Sequence, residues 1–83
     1  MFFIYILQSE TSDKYYIGQT KDLHARLKHH NSGLDNFTKK YLPWHVLFYV
    51  MKETRSEAIA LEKKLKNLSR QRLQEFIKKY GPE

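Results

Sequence analysis

Short apolar blocks alternate with polar breaks along the chain, and the spacing inside each block selects its structure. Phe3-Ile4-Tyr5-Ile6-Leu7 and Tyr15-Tyr16-Ile17-Gly18 are β-type runs. The polar break Ser9-Glu10-Thr11-Ser12-Asp13-Lys14 between them makes the pair a predicted hairpin. If Tyr5 and Tyr16 stand opposite one another, both hydroxyls leave the same face, but a slip of one residue would separate them. Gly18 closes the second run and is expected to serve as a structural turn. From about Leu23 to Asn31 the spacing turns helical, with Thr20 or Asp22 as cap and Gly33 just past the end, where a left-handed residue belongs. Residues 34–44 read as a loop. The run His45–Met51 predicts a third strand, buried on both faces or lying against a close partner strand. Thr54-Arg55-Ser56-Glu57 is a capping box that opens a second helix to about Leu68. Ser69 caps a third, Arg70 to Lys79, which Gly81-Pro82 stops. The order is ββαβαα, an α+β chain. Three strands cannot bury two apolar faces alone, so the helices must cover the sheet.

Polar residues inside these apolar stripes carry the chemical information, because burying them is costly. Leu23 and Leu27 define the buried stripe of the first helix; His30 projects close to it and Arg26 rims it one turn earlier. Each alone has an ordinary structural explanation, a snorkelling arginine or a satisfied core histidine. Together, beside two strand tyrosines, they suggest a site. In the second helix Ala58, Leu61, Leu65 and Leu68 form the apolar face, widened by Ile59. Glu62 falls inside that face, while Lys63, Lys64 and Lys66 take the solvent side. Glu62 therefore needs a cationic partner: Arg26, a lysine or a metal ion. A Glu62–Arg26 salt bridge is the structural alternative to a hard-cation site, for which one carboxylate can suffice when waters and substrate phosphate complete the shell.

The net charge of +6 adds a modest pull toward a polyanionic partner. Lys39 and Lys40 sit among Phe37, Tyr41 and Trp44, a mixture of charge and aromatics found on nucleic-acid surfaces. Residues 63–79 hold seven Lys/Arg, including Lys63, Lys66 and Arg70, against the single acid Glu75. These stretches are either phosphate-contacting or ordinary solvated faces. The absence of cysteine excludes disulfides and thiolate metal sites and suits the cytoplasm. No apolar run reaches membrane-spanning length, so no membrane partner is expected. The chain also lacks a glycine-rich phosphate loop, a Gly-x-Ser-x-Gly motif and a helix-turn-helix signature. At 83 residues, 1–83 reads as one domain.

The ordered set Phe3-Ile4-Tyr5, Tyr16-Ile17-Gly18, Arg26, His30 and Glu62 resembles the GIY-YIG nuclease superfamily. In particular it is similar to the small stand-alone bacterial proteins of that group, along Tyr-Tyr-Ile-Gly-Gln-Thr, Arg-Leu-Lys-His-His-Asn-Ser-Gly and Thr-Arg-Ser-Glu-Ala. The first motif departs from the family pattern, with Phe3 in place of a glycine. The resemblance implies a small α/β sandwich around a three-stranded antiparallel sheet. It implies hydrolysis of DNA phosphodiester bonds with Mg²⁺ or Mn²⁺. By that analogy Glu62 holds the metal and Arg26 stabilises the charged phosphate. Tyr5 activates or positions the attacking water, and Tyr16 and His30 orient water, phosphate and neighbours.

The leading expectation is thus a metal-dependent DNA endonuclease, selective for structure (branched or single-stranded DNA) rather than sequence, in repair or processing. The alternatives are a nucleic-acid-binding module with weak catalysis and a partner-dependent subunit of a larger repair complex. Oligomeric state is not legible in the chain.

Overall fold

A computed structural model describes residues 1–81. Its elements are β1 (Phe2–Ser9), β2 (Tyr15–Thr20), α1 (Leu23–Asn31), β3 (Trp44–Lys52), α2 (Arg55–Lys66) and α3 (Arg70–Tyr80), with a 3-10 turn over Thr38–Tyr41. The predicted ββαβαα order holds, and element ends move by no more than two residues. Gly81 caps α3 in extended conformation; Pro82, expected to help stop that helix, lies outside the described residues.

The local signals act as expected at most ends. The Asp22 carboxylate accepts from Ala25 N–H and caps α1, while Thr20 Oγ1 accepts from Asp22 N–H one step earlier. Thr54 accepts from Glu57 N–H, and Ser69 from Arg72 N–H. Gly33 follows α1 with φ +82°, the left-handed conformation that a side chain disfavours. In the hairpin loop, Ser9 N–H donates to Lys14 O, and Ser9 Oγ accepts from the N–H groups of Thr11 and Ser12.

The sheet is antiparallel in the order β2-β1-β3. Strand β1 is central, and Ile4, Tyr5, Ile6 and Leu7 are each at most 1% exposed. Ile4, Ile6 and Phe48 face α2 and α3, packing on Ala58, Leu65 and Leu73. Tyr5, Leu7 and Trp44 face the other way, under Leu23 and Leu27 of α1. The helices therefore cover both faces.

One alternative is now decided and one expectation needs correction. Strand β3 has the partner strand anticipated, β1, but it is an edge strand and not buried on both faces. Helix α1 covers the Trp44 end and leaves Tyr49 and Met51 half exposed. Tyr5 does not pair with Tyr16: the register sets Tyr5 against Gly18 and Leu7 against Tyr16. The offset is two residues, an even number, so both tyrosines still share the α1 face.

Candidate active site

The long side chain of Tyr5 crosses the neighbouring strand at the one place where nothing blocks it. Gly18 lies opposite Tyr5, and a Cβ there would stand 2.6 Å from Tyr5 Oη and 2.8 Å from Cζ. Gly18 is accordingly no turn. It lies inside β2, with no left-handed backbone, and its missing side chain is the slot for the Tyr5 phenol.

Beyond that slot the phenol meets His30. Tyr5 Oη is 3.2 Å from His30 Nε2, and His30 Nδ1 is 3.1 Å from Thr38 Oγ1. Tyr5, His30 and Thr38 are buried. Thr38 is fixed by the Asp35 carboxylate, which accepts from the N–H groups of both Phe37 and Thr38. The Trp44 indole N–H donates to Thr38 O and pins the same turn to β3. Those bonds hold the Asp35 carboxyl below its usual range. Burial raises the Tyr5 hydroxyl well above its ordinary value; the Tyr16 hydroxyl and Glu62 add to the rise, and Arg26 opposes it. Burial also lowers the His30 imidazole, against the pull of Asp35. At neutral pH the pair is therefore a protonated phenol beside a neutral imidazole. A phenol is a better donor than an alcohol, so the Tyr5 O–H donates to Nε2 and the Nδ1–H donates to Thr38 Oγ1. The Tyr16 ring stacks on Tyr5 at 6.3 Å and lies tilted against His30 at 4.7 Å.

Arg26 and Glu62 reach the same strand edge from opposite faces of the sheet. Arg26 is exposed on α1, forms no ion pair within 4.0 Å among the described residues, and lines an open cavity of about 630 Å³. Gln19, on that cavity wall, points to the α2 side and donates to Glu62 Oε1 at 2.7 Å. Glu62 Oε2 takes Lys66 Nζ at 2.8 Å. The partner of Glu62 is thus a lysine and a glutamine, not Arg26. Gln19 links the two: it lines the cavity of Arg26 and holds the Glu62 carboxylate, next to the Gly18 slot in β2, while Tyr5, His30 and Glu62 themselves do not line that cavity.

Of the nominated cations, Lys39 and Lys40 lie exposed on the 3-10 turn and Lys63 is exposed on α2. Lys66 is turned back onto Glu62, and Arg70 stacks on Tyr15 at 4.7 Å with Asp13 3.9 Å away. None of the five lines the Arg26 cavity; Lys21, His29 and Arg55 do. Lys21 and Arg55 give little signal because each stands alone in the chain, outside any run of like charge, whereas His29 lies between Lys28 and His30. Thr38 gave little signal beyond the Asp35-x-x-Thr38 spacing of a side-chain-capped turn. Phe3 lies on the Tyr5 face, with its ring 6.2 Å from Tyr49.

Over residues 1–80 the sequence matches the GIY-YIG catalytic domain. The chain belongs to that family. Membership of the GIY-YIG family implies nuclease activity and DNA as substrate. A UPF0213 protein of Staphylococcus aureus strain Mu3 is 36% identical over 77 residues, covering 92% of this chain and 93% of the relative. The UPF0213 protein of strain Mu50 aligns equally well. Among solved structures, the solution NMR structure of the UPF0213 protein BH0048 from Bacillus halodurans has a TM-score of 0.65 at 28% identity. That match covers 98% of this chain and 87% of the other. These relatives are small single-domain UPF0213 proteins of similar length to this chain.

A divalent cation fits the donors present. The Glu62 carboxylate is a hard oxygen ligand, 17% exposed, and each oxygen accepts one hydrogen bond and keeps lone-pair capacity. Among the described residues no three His, Cys, Asp or Glu side chains gather as a cage. One carboxylate with waters and substrate phosphate is an arrangement that Mg²⁺ accepts.

Proposed function

We propose that the chain is a divalent-metal-dependent endonuclease that hydrolyses DNA phosphodiester bonds, selected by DNA structure, in repair or processing. The observation that carries this reading is Gln19 at the edge of β2, which lines the cavity of an Arg26 without an ion pair among the described residues, holds the half-buried Glu62, and follows the Gly18 slot that admits the Tyr5 phenol beside His30.

Phosphodiester hydrolysis needs neutralised phosphate charge, an aligned water and a proton acceptor. Arg26 supplies two parallel N–H donors to the non-bridging oxygens. Glu62 would hold Mg²⁺ or Mn²⁺, with Gln19 fixing the carboxylate. A divalent cation held there would supply positive charge at the phosphate. Burial disfavours a free phenolate at Tyr5, so Tyr5 works as a relay. The water passes a proton to Tyr5 Oη as the Tyr5 proton moves to His30 Nε2, and the water oxygen forms the new P–O bond while the opposite P–O bond breaks. The released oxygen takes its proton from solvent. Tyr16 covers His30 and keeps the relay dry. Contacts of this kind read the backbone and its shape more than the bases, which supports selection by structure.

One observation favours the alternative of a weakly catalytic binding module or partner-dependent subunit: Lys66 already occupies one oxygen of Glu62. A panel of branched, nicked and single-stranded DNA, with Mg²⁺ or Mn²⁺, decides between them. The nuclease reading expects divalent-dependent cleavage of at least one structure. Binding without cleavage anywhere in the panel would reject it.

A further inference from the structure

Phe2, the first residue of β1, has two cations against one ring. Lys21 Nζ and Arg55 Cζ each lie 5.4 Å from its centroid. Lys21 comes from the link between β2 and α1, and Arg55 opens α2, so three separate elements meet here. Neither cation has a carboxylate within 4.0 Å among the described residues. Asp22, also on this wall, spends its carboxylate on the Ala25 N–H. Against the single carboxylate of Asp22 on this wall, Lys21, Arg26 and Arg55 leave an excess of positive charge that raises the local potential, and the Phe2 ring offsets that cost only in part. Both line the open cavity of about 630 Å³ that Arg26 and His29 share.

We propose that Lys21 and Arg55, braced on Phe2, form a second phosphate-binding site for the DNA backbone, beside Arg26. The site rests on the nuclease reading for the identity of its polyanion. It places the nucleic-acid path along the β2 edge, where Phe2, Gln19 and Arg26 line one cavity, and away from the Lys39–Lys40 turn. Arg26 then meets the phosphate that reacts, while Lys21 and Arg55 hold a neighbouring phosphate of the same strand. Their contribution is to affinity and register, since phosphate contacts position and carry no base information.

The test is DNA binding in EDTA, where cleavage cannot enter. Fluorescence anisotropy with a labelled single strand and a labelled branched duplex, across a salt series, compares wild type with Lys21→Ala/Arg55→Ala and Lys39→Ala/Lys40→Ala. Affinity of the first pair should fall by about tenfold or more at low salt, and the slope of log affinity against log salt should shrink by roughly 0.7–0.9, the share of one phosphate. The Lys39/Lys40 pair should leave both quantities near wild type. Arg55→Gln alone, at an exposed helix start, should give about half the change in slope. An unchanged slope in the Lys21/Arg55 pair overturns the site, as does an equal loss in the Lys39/Lys40 pair. Lost binding in the Lys21/Arg55 pair together with no cleavage by wild type under any condition would reject the nuclease reading and keep this site. Cleavage by wild type with unaltered binding in the pair does the reverse.

Discussion

The Tyr5 hydroxyl and His30 Nε2 stand 3.2 Å apart in the interior, both residues about 1% exposed. Burial keeps the phenol protonated and the imidazole neutral, so each group satisfies the other. Tyr5→Phe removes the donor and leaves Nε2 buried without a partner, at a cost of roughly 1–3 kcal/mol. Thermal unfolding should show a cooperative transition lowered by several degrees. Divalent-dependent cleavage should be lost from protein that is still folded, and retained activity would remove Tyr5 from the relay.

Gly18 and Gly33 separate two uses of glycine. Gly18→Ala puts a methyl group into the Tyr5 ring, and the forced shift costs about 1–3 kcal/mol and displaces the hydroxyl. Gly33→Ala meets no close atom, but its φ of +82° costs roughly 1–2 kcal/mol. Both variants should lose stability in denaturant titrations. Cleavage per folded molecule should fall for Gly18→Ala alone.

Thr38→Val keeps shape and removes the acceptor for His30 Nδ1–H. A loss of about 1–3 kcal/mol is expected, with reduced cleavage because the imidazole is no longer held in one tautomer. Thr38→Ser restores the oxygen and should recover most of the cleavage, which a purely steric role for Thr38 would not allow.

The pH dependence of stability follows from the same burial. The His30 pKa is lowered from the ordinary 6.5 on folding. Below that value the unfolded chain takes up a proton that the folded protein refuses, so stability declines as pH falls from 6.5 toward the folded pKa. Asp35 adds a separate loss: its carboxyl is depressed from 3.8, so its contribution persists above that value and disappears as pH falls through the folded pKa. Urea unfolding between about pH 7.5 and about pH 5 should show the His30 part, and His30→Gln should flatten it. A wild-type curve flat over that interval would contradict the buried neutral imidazole.

Local rules made much of this protein legible from its residues. Capping at Thr54 and Ser69, the left-handed Gly33 and the inward stripe Leu23–Leu27–His30 depend on neighbours a few residues away, and each stands where the pattern put it. What escaped depends on distant partners. The purpose of Gly18 is set by a tyrosine across the sheet, not by a turn. An apolar run cannot show whether β3 has strands on both sides, and only the coordinates put it at an edge. A helical wheel shows that Glu62 lies inside an apolar face but not that Gln19 and Lys66 will claim it. The cations of the Arg26 cavity come from three separate places, whereas the charge runs that draw the eye lie elsewhere.

The most direct measurement is DNA cleavage with Mn²⁺ by wild type, Glu62→Ala and Arg26→Ala at matched folded concentration. The account predicts cleavage by wild type, absent in EDTA, and a loss on the order of 10²-fold or more in each variant while binding in EDTA persists. Equal cleavage by wild type and Glu62→Ala would contradict it.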